Sequence, residues 1–235
     1  MELKPCAPGE VRIFLTRHGK TIFNEMHMAQ GWSDAPLTLA GTEDAKRLGR
    51  GLKERGISFQ SAWAGELGRQ RVTARLVLDA MGQTDIPVET EDGLKEVCFG
   101  SWEGKSEPER DKVFSRLMGL DENDPRAVYS RGLKALCELY VQTDETGLAE
   151  SYEQVCARIP VALERIAKEA YARGGGDVLA VTSGMIAMTY FFEVLKIPRS
   201  ESGGMGNLST TILRYDGEKL TVELPMGRMD FLAEA

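Results

Sequence analysis

Two short, mostly apolar runs that stop abruptly in polar residues constrain the fold more than any other feature. The first is VRIFLT at residues 11–16, and the second is DVLAVT at residues 177–182. Such runs are typical of strands that are buried on both faces, as in a parallel sheet covered by helices. Because parallel strands need a crossover connection, the stretches between these strands should contain helices.

The rest of the chain alternates between helix-like and strand-like patterns. Apolar residues at helical spacing predict four helices, at residues 38–56, 67–81, 150–173 and 185–196. Thr38 is a suitable N-cap for the first helix, whereas Pro160 should kink or interrupt the third. Two further apolar runs predict strands at residues 61–64 and 86–89.

The end of the chain reads as a hairpin, because Asp216 and Gly217 separate apolar runs at residues 210–215 and 220–224. Residues from about 105 to 147 are charged and only weakly amphipathic, which predicts a helical insertion that caps the fold. We therefore expect a single α/β domain over residues 1–235. It should have a mostly parallel central sheet, helices on both faces, an antiparallel edge hairpin and a helical cap.

Charge and cysteine content exclude several classes of function. The 29 Lys and Arg against 36 Asp and Glu give a formal net charge of −7, so the overall field does not attract nucleic acid or an anionic membrane. The four cysteines lack a C-x-x-C pair, which predicts neither a zinc cage nor a disulfide framework. No apolar leader and no run of about eighteen apolar residues occurs, so we expect a cytoplasmic protein with neither nucleic-acid nor membrane partners.

The polar residues after the first strand are candidates for a site, because ligands of open α/β folds bind beyond the carboxyl ends of the strands. Residues 16–21 read TRHGKT and place His18 between Arg17 and Gly19. Such a histidine can present its imidazole while a guanidinium and backbone N–H groups hold an anion. A turn histidine beside a solvated arginine would give the same tripeptide. Other residues must therefore distinguish an anion site from an ordinary turn.

Three further segments resemble the histidine phosphatase superfamily, the phosphoglycerate mutase-like proteins. LTRHGKTIFN followed by QGWSDAPLTLAG resembles the opening of that family, AGELGRQRVTA its arginine segment, and LKEVCFGSWEG the segment of its acid. The resemblance implies that His18 is the nucleophile and forms a phosphohistidine. It also implies that Glu96 is the catalytic acid and that Arg17 and Arg69 bind phosphate. Asn24 and Thr21 would orient His18 or bind phosphate, although each is also an ordinary turn-capping residue.

The departures from the family pattern are as informative as the matches. Ala64 and Gly65 replace two serines of the arginine segment, and the turn VTSGM has Ser183 where the family carries a second histidine. The resemblance makes Ser183 a phosphate-site residue without a charged donor. Losing one such donor typically costs about 10²- to 10³-fold in rate, so Ser183→His should restore activity. The only other histidine, His27, lies in a loop and is a candidate replacement.

The resemblance implies a metal-independent phosphomonoester hydrolase that acts on a small phosphorylated substrate without a cofactor, with reduced activity. One alternative is a catalytically silent relative that binds a phosphorylated ligand or a partner protein, which Ser183 favours. A second alternative is a sugar-phosphate mutase. GWSD favours the mutase, but the insertion lacks the proline-rich pattern of that branch. The sequence leaves the substrate and the oligomeric state open.

Overall fold

The computed structural model describes Cys6 and residues 9–124, 127–199 and 204–233. These residues form six strands: β1 (Val11–Arg17), β2 (Phe59–Ala64), β3 (Val88–Thr90), β4 (Gly176–Thr182), β5 (Thr210–Tyr215) and β6 (Leu220–Arg228). They form seven α-helices: α1 (Ile22–Glu25), α2 (Leu39–Glu54), α3 (Gly68–Met81), α4 (Glu107–Leu117), α5 (Gly132–Thr143), α6 (Tyr152–Ala172) and α7 (Gly184–Thr189). A π-helical turn, Tyr190–Val194, continues α7.

The six strands form one sheet in the order β3-β2-β4-β1-β5-β6. The first four of these pair in parallel, and β5 and β6 pair antiparallel at the other edge. The predicted α/β fold with a mostly parallel sheet and an antiparallel edge hairpin is therefore confirmed.

A hydrophobic core lies on each face of the sheet. Along β1, Ile13 and Leu15 belong to the core that α5, α6 and α7 cover, whereas Phe14 belongs to the core beneath α2 and α3. Successive side chains of a strand point to opposite faces, so burial on both sides explains why this run shows no polar alternation. The same arrangement brings the carboxyl ends of β1 and β4 together, in register from Val11 opposite Gly176 to Arg17 opposite Thr182.

Two local expectations differ from the structure. The third strand begins at Val88 rather than at residue 86, because β2 pairs only with residues 88–90. Pro160 lies inside α6 but does not end it, and the helix runs without a break to Ala172. Proline removes one helical hydrogen bond, but the buried apolar face of α6 on either side of Pro160 keeps the helix packed against the sheet.

The segment predicted as a helical insertion contains α4 and α5. Phe99, which precedes it, stacks on Tyr140 of α5 with ring centroids 4.3 Å apart, and Phe114 of α4 meets Tyr140 edge to face. Aromatic contacts of this kind therefore fix both helices against the segment that carries Glu96. None of the described helices is long and apolar enough to cross a membrane.

Candidate active site

A cavity of about 160 Å³ lies between the carboxyl end of β1 and the helical insertion. We call one side the strand end, which is lined by Arg17, His18, Asn24, Gln30 and Glu96. We call the opposite side the cap end, which is lined by Glu107, Arg110, Tyr129 and Tyr140. Apolar side chains, among them Met28, Leu133, Leu136 and Met188, form the walls between the two ends.

His18 is held rigidly at the base of the strand end. Its side chain is only 3% exposed, and its backbone N–H donates to the carbonyl of Thr182 at 3.0 Å. Its Nδ1 lies 2.8 Å from the carbonyl oxygen of Gly19, so Nδ1 carries the proton and Nε2 keeps its lone pair. Burial, followed by the charges of Arg69 and Arg17, lowers the pKa of His18 well below its ordinary value of 6.5. The imidazole is therefore neutral at neutral pH, as a nucleophile must be.

Three buried N–H donors near His18 have no hydrogen-bond partner: Nε of Arg17 and Nε2 of Gln30 in the cleft lining, and Nε of Arg69 behind it. Buried polar groups are normally paired, so an unpaired set in one place indicates that a ligand completes them. Other polar atoms of Arg17 and Gln30 are held by neighbouring groups. Nη1 of Arg17 donates to the carbonyl of Met205 at 2.6 Å, and Oε1 of Gln30 accepts from the hydroxyl of Thr21 at 2.6 Å.

Arg69 is fixed by the loop that follows Gln30. Its Nη2 donates to the carbonyl of Gly31 at 2.7 Å, and its Nη1 donates to that of Ser33 at 2.8 Å. The guanidinium lies buried behind the cleft lining, yet close enough to His18 to lower the pKa of the imidazole. The predicted phosphate-binding arginine therefore lies behind the cleft, with Nη1 and Nη2 committed to the loop and Nε unpaired.

Glu103 holds that loop in place. Its carboxylate accepts from the backbone N–H groups of Gly31 at 3.0 Å, Trp32 at 2.7 Å and Ser33 at 2.9 Å. The motifs QGWSD and FGSWEG are thus joined through one side chain. Sequence reasoning missed both Glu103 and Gln30 although the quoted motifs contain them, because nothing local says that a glutamate accepts from a loop 70 residues away.

Glu96 also lines the strand end, where backbone N–H groups hold its carboxylate. Its Oε1 accepts from the backbone N–H groups of Val97 at 3.0 Å and Ile186 at 2.8 Å, and its Oε2 accepts from that of Met185 at 2.9 Å. The carboxyl group therefore sits at the start of α7 with Oε2 less fully coordinated than Oε1. Glu96 thus presents its carboxyl group to the strand end of the cleft.

The structure separates the two predicted turn residues. Asn24 lines the cleft, and its Oδ1 accepts from Nδ2 of Asn207, which also donates to the carbonyl of His18 at 2.9 Å. Thr21 is fully buried behind it, where it caps α1 and donates to Gln30. Thr21 is therefore a support for the strand end and does not line the cleft.

Ser183 is fully buried and does not line the cleft. Its hydroxyl oxygen accepts from Nε2 of Gln70 at 3.0 Å, and the same amide donates to the carbonyl of Leu94 at 2.9 Å. A side chain at Gly65 would place its Cβ only 2.1 Å from Oε1 of Gln70. Gly65 and Ser183, both singled out in the sequence, thus leave room for one glutamine that sequence reasoning missed.

His27 does not approach the nucleophile. It is exposed, has a positive φ of 52°, and lines a separate surface depression with Glu107 and Asp111. The expectation that it could replace a second histidine finds no support in this geometry. Among the described residues, no group of three or more His, Cys, Asp or Glu side chains is placed to hold a metal ion.

The fold and the strand end define a member of a known enzyme family. The chain belongs to the histidine phosphatase superfamily (branch 1), whose family model matches residues 13–225. The structure of a phosphoglycerate mutase from Bacillus anthracis is similar, with a TM-score of 0.82 and 34% identity over 92% of each chain.

Two further relatives are similar over different lengths. A 2,3-bisphosphoglycerate-dependent phosphoglycerate mutase from Afipia carboxidovorans is 35% identical over 102 residues, which cover 43% of this chain and 49% of that protein. The chain thus spans about half the length of the curated relatives it matches. A mycobacterial glucosyl-3-phosphoglycerate phosphatase bound to VO3 shares the fold, with a TM-score of 0.68 and 24% identity over 93% of this chain and 100% of that chain.

Proposed function

We propose that the chain is a metal-independent phosphomonoester hydrolase that works through a phosphohistidine at His18. The observation that carries this proposal is the set of three unpaired buried donors beside an unprotonated Nε2. A phosphate dianion would accept hydrogen bonds from Nε of Arg17, Nε of Arg69 and Nε2 of Gln30. Those contacts would hold phosphorus near the nucleophile and offset the charge of the transition state.

The proposed reaction has two steps, each with balanced bonds and protons. Nε2 of His18 attacks phosphorus, a P–N bond forms, and the P–O bond to the alcohol breaks while protonated Glu96 gives its proton to the departing oxygen. Water then attacks phosphorus, Glu96 takes up the proton, and the P–N bond breaks. Inorganic phosphate leaves, and the neutral imidazole is restored.

We place Ser183 at the position of the family's second histidine and infer a slow enzyme. The serine hydroxyl accepts from Gln70 and keeps its own proton to donate, but it carries no positive charge. The loss of one charged donor predicts a rate about 10²- to 10³-fold lower than with histidine there. The missing positive charge at Ser183 also supports the alternative that the chain is a catalytically silent relative that only binds phosphorylated ligands.

A phosphoglycerate mutase is the second candidate, and the similarity to the B. anthracis protein over 92% of the chain supports it. A mutase returns the phosphoryl group to a second organic hydroxyl, whereas a hydrolase gives it to water. Incubation of 3-phosphoglycerate with 2,3-bisphosphoglycerate separates the two. We expect release of inorganic phosphate without interconversion of phosphoglycerates.

Trapping the intermediate tests the proposed function directly. After brief incubation with a radiolabelled phosphomonoester in EDTA and alkaline denaturation, the protein should carry a label that survives base and is lost in acid, as a phosphoramidate is. His18→Ala should abolish both the label and the hydrolysis. His27→Ala, the matched control, should retain both. An acid-stable label, or a label retained in His18→Ala, would remove His18 from this role.

A further inference from the structure

The charged groups of the cap end are one guanidinium and the carboxylates next to it. Arg110 is the one described cation that lines the cap end, it is 3% exposed, and its Nε and Nη2 donate to Oδ1 of Asp111 at 2.9 and 2.7 Å. Its Nη1 donates to the hydroxyl of Tyr140 at 2.6 Å and its Nη2 to that of Tyr129 at 2.7 Å. Every nitrogen of this guanidinium therefore has a partner, and Asp111 balances its charge.

Glu107 adds a second carboxylate to this end. Its side chain lines the cleft, is 38% exposed, and lies 3.6 Å from Nη1 of Arg110, which is longer than a hydrogen bond. Its oxygens thus keep the capacity to accept from a ligand. One guanidinium lies next to two carboxylates, so Asp111 balances Arg110 from outside the cleft lining and the charge of Glu107 is left over.

The two ends of the cleft therefore offer different groups to a ligand. Buried guanidinium groups and unpaired donors lie at the strand end, where a phosphate would bind. A carboxylate with free acceptor capacity lies at the cap end, beside the stacked rings of Phe99 and Tyr140. A carboxylate attracts an ammonium group and accepts its hydrogen bonds. Glu107 also acts on Arg17, since its charge raises the pKa of that guanidinium against the lowering by burial.

We propose that the cleft selects phosphomonoesters whose short organic group ends in a primary ammonium, with the phosphate at the strand end and the ammonium against Glu107. This inference rests on the proposed function for its phosphate end. A carboxylate or a second phosphate at the cap end would instead face Glu107, and each nitrogen of Arg110 already donates to Asp111 or to a tyrosine hydroxyl. Repulsion between like charges would discriminate strongly against such an anionic group.

Three esters of equal length test the selection. 2-Aminoethyl phosphate, 2-hydroxyethyl phosphate and phosphoglycolate share a two-carbon chain and differ in an ammonium, a hydroxyl or a carboxylate at its end. We expect kcat/KM to fall in that order, with about a tenfold or larger difference between the first and the last. Equal rates, or a preference for phosphoglycolate, would overturn the inference while leaving the hydrolase intact.

Charge reversal at Glu107 sharpens the test. Glu107→Lys should lower kcat/KM for the aminoethyl ester and raise it for phosphoglycolate, so that the ratio between them falls at least about tenfold. Turnover of the neutral hydroxyethyl ester measures how far the substitution affects all esters through Arg17, and both charged esters are compared with it. Glu107→Gln should give an intermediate ratio, and it serves as the second variant if the lysine perturbs folding.

Glu109→Lys is the matched control. Glu109 lies in the same first turn of α4 and is exposed away from the cleft, so both lysine variants lose the same favourable charge near the helix N-terminus. Its ester ratio should equal that of the wild type. The same shift in Glu109→Lys would mean that the overall field, and not a contact in the cleft, decides the preference.

A binding experiment distinguishes failure of this inference from failure of the proposed function. If no ester is hydrolysed and no label forms, the hydrolase proposal fails. The three esters can then be compared by displacement of vanadate in isothermal titration calorimetry. Tighter binding of the aminoethyl ester, lost in Glu107→Lys, would still support the selection, whereas equal affinities or tighter phosphoglycolate binding would overturn it.

Discussion

The two ends of the cleft are built in different ways. The strand end collects side chains from distant parts of the chain, from Arg17 to Glu96, and holds them mainly through backbone groups. It leaves three buried donors unpaired. The cap end comes from one continuous insertion, and each nitrogen of its guanidinium donates to a residue of that insertion. This difference supports two separate roles. The strand end would bind the charged phosphate, and the cap end, whose arginine is already bonded to Asp111, would discriminate among organic groups.

The largest change should come from the neighbourhood of Ser183. Because Gln70 already lies 3.0 Å from the hydroxyl, Ser183→His alone should overpack this buried site and give no gain, contrary to the expectation from sequence. Ser183→His with Gln70→Ala should remove the obstruction and raise kcat/KM by about 10- to 10³-fold. The assay is hydrolysis of an aryl phosphate.

Gln70→Ala alone is the control and should not raise the rate. A full gain in the single Ser183→His variant would show that Gln70 does not fill the space of the imidazole. If the double variant binds vanadate but hydrolyses no phosphomonoester, the ligand-binding alternative replaces the catalytic proposal.

A smaller effect should follow from loosening the loop that holds Arg69. Glu103→Gln removes the charge shared by three backbone N–H groups of the loop and by that of Phe99, so the carbonyls that orient the guanidinium should lose their fixed position. We expect kcat/KM to fall by about 10- to 100-fold, since small misplacements of a binding group have effects of that size. The thermal stabilisation by vanadate should shrink in parallel.

Glu54→Gln, an exposed change on α2, is the matched control for charge and should leave both measurements unchanged. Normal vanadate stabilisation in Glu103→Gln would mean that Arg69 keeps its position without the clamp. The role of Glu103 would then be confined to folding.

The smallest effect concerns pH and the buried imidazole. The pKa of His18 in the folded protein lies well below its ordinary value of 6.5, so the unfolded chain binds this proton more readily. The stability that this group contributes is therefore complete above pH 6.5 and is lost as pH falls below that value. Denaturant unfolding between about pH 7.5 and pH 5 should show wild type losing stability relative to His18→Ala. A pH-independent difference between the two proteins would contradict the lowered pKa.

The strand pattern could be predicted because burial on both faces leaves a direct trace in the sequence. The run at residues 177–182 is apolar throughout its centre since its side chains enter both cores, and it became β4. The N-cap at Thr38 was also confirmed, as its hydroxyl accepts from the backbone N–H of Gly41. The interruption that Pro160 could have caused did not occur, because local propensity at one position is weaker than the packing of a whole helix face.

By itself, the sequence determined the fold class and named the chemical groups of the strand end, because strand burial and motif spacing are local properties of the chain. Only the tertiary structure decided where those groups lie and what they contact. In the folded chain Arg69 donates to a loop, Thr21 lies behind the cleft, Ser183 accepts from a glutamine and Arg110 pairs with Asp111. Hydrogen bonds between residues far apart in sequence depend on how the elements pack, and no local pattern records them.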